Sequence, residues 1–425
     1  MHDTIFALSS GAPPAAIAII RISGPQAGTA LQTLAGRLPE PRRTAYLRLT
    51  DSHGETLDRV LALWMPGPGT ATGEDIAELH CHGGRAVVAA IESALERLPK
   101  LRRATPGEFT RQAFANGRID LAEAEGLADL LSAETELQRQ SAITVAGGAL
   151  SRQVENWRER VLAYSAAVEA VLDFADEDDV AVLPADYTAR LNGLQMEIAS
   201  WLARPRAEAL CEGFRVVLSG PPNAGKSTLF NALVESDAAI TASIAGTTRD
   251  VLTRPVAIEG IPFLFADTAG LRDETGDVIE AMGVERARDE LDRADIVLWL
   301  GPEGEGPTGA WEVAPQADRG EHEIKRVPRH RVSAVTGEGL DALRRDLVSS
   351  ARAAMPKPGE AALNTRQHRL LFDAERALAD ATLSDDPLIV AENLRLARAA
   401  FDSLLGRATT EDMLDALFGR FCIGK

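Results

Sequence analysis

The sequence predicts a multidomain chain of α/β and α parts: an α+β N-terminal domain, an α-helical domain, and a P-loop α/β domain inserted into the helical one. Three observations carry this reading. A glycine-rich run, GPPNAGKST (220–228), stands between a strand-like and a helix-like segment, within a stretch where the two patterns alternate. The segments flanking that stretch place apolar residues at three- and four-residue spacing. The residues before them mix strand patterns, turns and short helices. The expected division is 1–117, 118–212, 213–353 and 354–425, the second and fourth segments forming one helical domain.

In the first segment AIAIIRIS (16–23) reads as a buried strand, turning at SGP (23–25). DRVLALWMPGPG (58–69) is a second strand closed by Pro/Gly, and DIAELHCHGG (75–84) a third, followed by a helix over 85–97. LAEAEGLADLLSAETELQRQSAI and VENWRERVLAYSAAVEAVLDF then read as helices. An acidic cluster, Asp173 and 176–179, interrupts them before LPADYTARLNGLQMEIASWLA resumes. In the inserted segment RVVLSG (215–220) is a strand and KSTLFNALV (226–234) a helix. TRPVAIEG and IPFLFADTAG form a hairpin, IEAMGVERARDEL a helix, ADIVLWLG a strand and LDALRRDLVSSA a helix. The connection 301–310 is short for a parallel crossover, which normally takes a dozen residues or more. A helix is therefore expected to be missing there. LLFDAERALADA and ENLRLARAAFDSLLG return to helical spacing.

The 425 residues carry 45 Lys and Arg against 63 Asp and Glu, a net charge of −18. That balance argues against broad nonspecific binding to nucleic acid or anionic membrane, without excluding a local basic groove. Three cysteines make no disulfide framework, which points to a reducing compartment. Apolar runs such as 17–20 and 296–300 are too short to span a bilayer, and MHDTIFALSS resembles neither a signal nor a transit peptide, so a cytoplasmic protein is expected.

The run 220–228 contains G-x-x-x-x-G-K-S in the strand–loop–helix context of a phosphate-binding loop. Glycines let main-chain N–H groups close on phosphates, and the helix N-terminus adds its dipole. Asn223, Ala224, Gly225, Lys226, Ser227 and Thr228 are the candidate contacts, with Lys226 bridging the β- and γ-phosphates and the Ser227 hydroxyl on Mg²⁺. Asp267-Thr268-Ala269-Gly270 ends an apolar strand, where Asp267 can hold the Mg²⁺ shell through water and the Gly270 N–H can sense the γ-phosphate. Gly246-Thr247-Thr248-Arg249-Asp250 would place Thr248 on Mg²⁺. Ser333-Ala334 suits a main-chain contact to a purine.

Two features depart from the usual nucleotide switch. Leu271 stands where a water-orienting glutamine is common; Glu280 is a candidate substitute, although a helical Glu is ordinarily a solvated side chain. The Asn-Lys-x-Asp guanine motif is absent, and Pro315-Gln316-Ala317-Asp318 occupies its place, leaving Asp318 as the only group able to accept from the guanine edge.

With the P-loop, GTTRD and DTAG in order, a terminal FCIGK (421–425), and the strings DTI (3–5), RISGP (21–25), TGEDIAELHCHGG (72–84) and PGEFTRQAFANGRIDLAEAEGLADL (106–130), the sequence closely resembles the MnmE, or TrmE, family of tRNA modification GTPases over nearly its whole length. The resemblance implies an N-terminal folate-binding and dimerisation domain, a helical domain and an inserted Ras-like G domain. It implies a homodimer working with an FAD-containing MnmG-like partner, as a heterotetramer, on tRNA. The product would be an aminomethyl or carboxymethylaminomethyl group on C5 of the wobble uridine, with GTP as substrate, Mg²⁺ and K⁺ as ions, and 5-formyl- or methylene-tetrahydrofolate as one-carbon carrier. Carried over, the folate residues are Arg21, Glu78, Arg118 and Lys425; the family often has lysine at the position of Arg118. Cys422 matches the family's C-terminal cysteine and Glu280 its general base acting through water. K⁺ would take Asn223, the carbonyls of Ala242 and Ile244, and Thr247, within a loop that also holds Ser243, Ala245 and Gly246.

His80, Cys81 and His82 invite a metal reading, but strand alternation sets Cys81 opposite the two histidines. Two further readings compete with tRNA modification: a G-protein switch in ribosome assembly or regulation, and a folate-binding scaffold with a decayed nucleotide site. A simple assembly factor has no need of the N-terminal domain and the Cys-Ile-Gly-Lys tail, and the intact Lys226, Ser227, Thr248 and Asp267 argue against decay.

Overall fold

The structure is a computed structural model that describes residues 3–173, 183–235, 252–267, 289–318, 325–408 and 410–425. The chain divides into two compact units, 1–128 with 401–425, and 129–400.

The first unit is built on a mixed six-stranded sheet of β1 (Thr4–Leu8), β2 (Ile17–Ser23), β3 (Thr44–Thr50), β4 (Thr56–Met65), β5 (Ile76–His82) and β6 (Leu101–Arg103), in the order β3-β4-β5-β2-β1-β6. The expected strands are present, with ends displaced by a few residues. Alternation sorts the side chains onto two faces. Ala18, Ile20, Ile22, Val60, Ala62, Ala77, Leu79 and Cys81 pack beneath Leu31, Leu34, Val88, Ile91 and Leu95 of the helices Ala27–Ala35 and Arg85–Glu96. The opposite face carries Arg21, Ser23, Glu78, His80 and His82, and near its β1 edge Ile5 and Ala7 cluster with Ala104 and Phe109.

The last residues of the chain belong to this unit. Helix Glu411–Phe418 lies against helix Glu108–Ala115: Arg111 pairs with Glu411 and with Asp415 (2.6 Å), and the Phe114 and Phe418 rings are 6.2 Å apart. The approach is close enough that a Cβ on Gly107, at φ 69°, would fall 2.3 Å from the Phe418 carbonyl oxygen.

The second unit joins helices to a second six-stranded sheet. Trp157, fully buried on helix Ala149–Asp173, meets Trp201 of helix Tyr187–Leu202 edge-on at 5.5 Å. Helix Thr365–Leu383 starts with a reciprocal capping box between Asn364 and Gln367. The sheet comprises β7 (Phe214–Ser219), β8 (Leu252–Ile258), β9 (Ile261–Asp267), β10 (Ile296–Trp299), β11 (Trp311–Ala314) and β12 (His330–Arg331), ordered β12-β11-β10-β7-β9-β8. Only β8–β9 is antiparallel, as expected of the hairpin. Val216, Leu218, Phe263, Phe265 and Leu298 share one core with Leu229, Leu233, Leu343 and Leu347 of the helices Lys226–Glu235 and Leu340–Ala354.

The 300–310 connection crosses between parallel strands β10 and β11 without a helix, as its length requires. Trp299 covers the gap. Its ring lies so near the loop that a Cβ on Gly306 would approach it to 2.6 Å, and its Nε1–H donates to the Pro302 carbonyl at 2.8 Å. The segment after residue 324 is stitched to the same loop. The Glu303 carboxylate accepts from the Arg326 and Val327 N–H groups at 2.7 and 3.0 Å. Lys325, 6% exposed, donates from Nζ to the Trp299 carbonyl and to Glu312. A cation so placed is tolerated because its partners are fixed. Replacing Lys325 by Ala should therefore cost about 3 kcal/mol, the low end for breaking a buried pair because Glu312 is partly exposed, and Lys325→Met with Glu312→Leu should recover much of the loss; urea unfolding followed by tryptophan fluorescence checks both.

Candidate functional site

Two constellations of predicted residues come together, one in each unit. In the α/β sheet the site sits where β7, β9 and β11 end. Parallel strands bring these C-terminal ends to one edge of the sheet. After Ser219 the chain turns through 220–225, with Gly220, Asn223 and Gly225 at positive φ (149°, 64° and 87°), and enters the helix at Lys226. Asn tolerates the left-handed region better than most side chains. Ala224 is buried beneath this loop, and Asn223 is exposed on it. Lys226, 5% exposed, donates from Nζ to the carbonyls of Gly220 (3.0 Å) and Pro221 (2.8 Å). The Ser227 hydroxyl donates to Asp267 Oδ2 at 2.7 Å, joining the loop to the end of β9. Asp267 is 1% exposed.

Beside this loop, Gln316 takes a left-handed conformation (φ 56°), and the Ala317 N–H donates to the Val332 carbonyl at 3.1 Å. The Ser333 hydroxyl donates to Asp318 Oδ1 at 2.6 Å. Gly225, Thr228, Gln316, Asp318, Ala334 and Val335 line a cleft of about 90 Å³. The residues expected to read phosphate and those expected to read a base thus border one cleft. Ala242, Ser243, Ile244, Ala245, Gly246, Thr247, Thr248, Thr268, Ala269, Gly270, Leu271 and Glu280 lie outside the described residues.

The second constellation occupies the open face of the first unit's sheet. Arg21 on β2 faces Glu78 on β5 in register, and its Nε and Nη2 both lie 2.9 Å from Glu78 Oε1. Glu78 Oε2 is 3.4 Å from His80 Nε2. The Arg21 guanidinium stands 5.8 Å from the centre of the Phe109 ring, a cation–π contact. The Phe109 N–H donates to the main-chain oxygen of Lys425 at 3.2 Å, and the Ser9 hydroxyl to that of Gly424 at 2.8 Å. The C-terminal residues are thereby held beside Arg21. Arg118 is exposed next to the turn at Gly73, and that turn is tied back to β2 by the 2.8 Å bond between Thr72 and Ser23. Arg21, Glu78, Arg118 and Lys425 accordingly share this face, and Cys422 is exposed on the same tail. Ser9 and Phe109 escaped the sequence reading. Neither residue's own type or spacing marks it as part of a site, although Phe109 lies within the 106–130 string, and their partners are hundreds of residues away or on another element.

The His80-Cys81-His82 run does not converge. Cys81 is buried and bonds the Ala18 carbonyl, while His82 pairs with Asp58 at 2.8 Å on the exposed face. No group of three potential ligands forms among the described residues. Hydrogen bonds from the His82 and Arg59 N–H groups outweigh partial burial and hold the Asp58 carboxyl below its ordinary value.

Two family models match this sequence: the GTP-binding protein TrmE N-terminus over residues 4–118 and the MnmE helical domain over 121–422. The chain belongs to the MnmE family. Proteins named tRNA modification GTPase MnmE from Erythrobacter litoralis and Novosphingobium aromaticivorans are 63% and 62% identical to it, each aligned over 100% of both chains. A relative of the same name from Rhizorhabdus wittichii is 58% identical over 100% of this chain and 97% of its own. The P-loop α/β part and the α+β N-terminal part are thus those of the MnmE family, and no described helix is long and apolar enough to cross a membrane.

The three thiols differ in kind. Burial first, and then the nearby Asp58 carboxylate, push the Cys81 thiol up to about 11. Cys211 and Cys422 are exposed. Because the thiolate is the reactive form, titration of the native protein with a chromogenic disulfide at pH 8 should show two fast thiols. The third should react only on unfolding; three fast thiols would contradict the burial of Cys81.

Proposed function

We propose that this protein is a GTP-hydrolysing tRNA modification enzyme that, with an FAD-containing MnmG-like partner, adds an aminomethyl or carboxymethylaminomethyl group to C5 of the wobble uridine, the carbon coming from 5-formyl- or methylene-tetrahydrofolate. The observation that carries the reading is the pairing, in one chain of this family, of a phosphate loop closed on Asp267 by Ser227 with an anion-binding face built from Arg21, Arg118 and the docked Lys425. A ribosome-assembly switch has no use for the second. The division 1–117, 118–212, 213–353 and 354–425 remains our proposal for the functional domains.

In the nucleotide site Lys226 would exchange its carbonyl partners for the β- and γ-phosphate oxygens, while the N–H groups of 223–228 close around them. Ser227 and Thr248 would offer hard oxygen donors to Mg²⁺, and Asp267, 2.7 Å from the Ser227 hydroxyl, would hold the metal's shell through water. Asn223 is exposed on the loop, and its amide oxygen would be a K⁺ ligand, with Ala242, Ile244 and Thr247 as its proposed companions. K⁺ there supplies the positive charge that an arginine finger gives other GTPases. Glu280 would take a proton through water. Asp318 would accept from the guanine edge, with Ser333 orienting its carboxylate and Ala334 offering its N–H.

In the folate site the two arginines and Lys425 match the negative charges of a folate glutamate tail, and Glu78 can accept from ring N–H groups. The Phe109 ring stands beside the Arg21 guanidinium, 5.8 Å away. Cys422 is exposed beside this donor set. The homodimer reading is supported by the same sheet face. Tyr46, Leu61 and Ile17 on it are 64%, 49% and 60% exposed, an apolar strip that a second copy would cover. Cytoplasmic location follows from the proposed substrate.

GTP hydrolysis should be much faster in KCl than in NaCl, since Na⁺ fits the carbonyl cage poorly, and Glu280→Ala should slow it with little change in nucleotide binding; equal steady-state rates in the two salts would contradict the cation assignment. Deleting residues 422–425 should abolish wobble-uridine modification, read by nucleoside analysis of tRNA from a complemented deletion strain, while leaving hydrolysis largely intact. Normal modification by the truncated chain would overturn the folate-site reading.

A further inference from the structure

Val335 is 79% exposed on a loop that is otherwise tightly held. The Thr336 N–H donates to the Ser333 hydroxyl at 3.1 Å, the Gly337 N–H to the Ser333 carbonyl at 2.9 Å, and the Ser333 N–H to the Glu338 carbonyl at 2.9 Å. The loop closes on Gly339, whose φ of 75° no Cβ could accompany without striking the Arg331 carbonyl. Val335 is therefore held in solvent by a rigid turn. Leaving an isopropyl group in water forgoes the transfer free energy that burial would recover, and no described residue covers it. Its methyls border the cleft that also contains Gln316, Asp318 and Thr228, next to the phosphate loop.

The lining of that cleft includes one charged side chain, Asp318, and no cation. A flat ring with N–H donors on one edge complements both features: the carboxylate takes the edge, and apolar atoms take the face. We infer that Val335 is an affinity-determining residue for the nucleotide base, packing its methyls on the ring face, where no lysine or arginine stem stands among the described lining residues. This rests on the reading of Asp318 as the base acceptor. Face packing and edge reading differ in consequence. Val335 contributes the same whatever groups the purine edge carries, whereas Asp318 discriminates between edges.

Calorimetry of the full chain with Mg²⁺ and GDP or XDP separates them. Val335→Ser should weaken both nucleotides alike by about tenfold, the low end of the loss expected for uncovering one branched side chain, and Val335→Ile should keep affinity. In steady-state hydrolysis Val335→Ser should raise KM for GTP and leave kcat at saturation in place. Since Val335 is exposed, the substitutions leave the fold intact; should Val335→Ser nonetheless shift the melting temperature, the isosteric Val335→Thr repeats the measurement with the same expectation at smaller amplitude. Wild-type GDP affinity in Val335→Ser, or a weakening confined to one nucleotide, overturns the inference. Asp318→Asn is the control on the underlying reading: a swing from guanine toward xanthine supports it. An unchanged ratio sinks the base-slot reading itself, whatever Val335 does.

Discussion

The parallel pairing of β7 with β9 on one side and β10 on the other fixes almost everything the nucleotide site needs. Val216↔Phe265 and Leu298↔Leu218 set the register, so that Ser219 and Asp267 finish at the same edge. Shift either strand by one residue and every side chain changes face. Leu218 and Phe265 would leave the core, and Asp267 would no longer meet Ser227. The apolar cost of that slip, several buried side chains at about 1.5–3 kcal/mol each, is what holds a buried carboxylate opposite a hydroxyl. The polar contact at the site is thus a consequence of the core beneath it.

How much of this was legible in the sequence follows from how far each determinant reaches along the chain. The phosphate loop is local: nine consecutive residues specify turn, glycine conformations and helix start, so GPPNAGKST could be read outright. The helix-free crossover was legible from length alone, because 301–310 is too short to hold one. The residues that complete each site were not. Lys325 gives no sequence signal that it will be buried; its fate depends on Trp299 and Glu312, which the sheet brings to it. Ser9 and Phe109 matter through bonds to Gly424 and Lys425, and such closures are invisible to periodicity. The folate set itself came from family resemblance, since an Arg on one strand and a Glu on another carry no pattern until the strands pair.

A chain with a net charge of −18 must concentrate positive charge to hold an anion. The first unit's open face carries three cationic residues, Arg21, Arg118 and Lys425, whose neighbours differ. Arg21 is shared between Glu78 and the Phe109 ring rather than wrapped by carboxylates. Arg118 stands exposed at a turn. The tail is anchored through main-chain oxygens of Gly424 and Lys425, which leaves the Lys425 ammonium out of the docking contacts. Gly424 makes that possible: at φ 98°, any Cβ would fall 2.2 Å from the Leu8 carbonyl oxygen. Docking by backbone while side chains stay available is a physical reason for a short tail with glycine before its last residue.

The backbone of segment 315–318, the proposed base-reading turn, is fixed by its surroundings. Pro315 and Gln316 lack the amide brace and the long cationic stem of the usual motif, yet Gln316 adopts a left-handed backbone that costs a non-glycine residue about 1 kcal/mol or more. Such strain persists only where the surroundings impose it. Here they do: the Ala317 N–H is bound to Val332, and Asp318 to Ser333, so the path between β11 and the Ser333 loop is pinned at both ends. Relaxing Gln316 into the β region would break one of these bonds and swing the carboxylate out of the cleft. The position of Asp318 is therefore set by the backbone around it and not by the identities of residues 315 and 316. On the proposed reading of Asp318 as the edge acceptor, that placement does not depend on the side chains of Pro315 and Gln316, and the affinity of a stacked stem would have to come from whatever else borders the cleft.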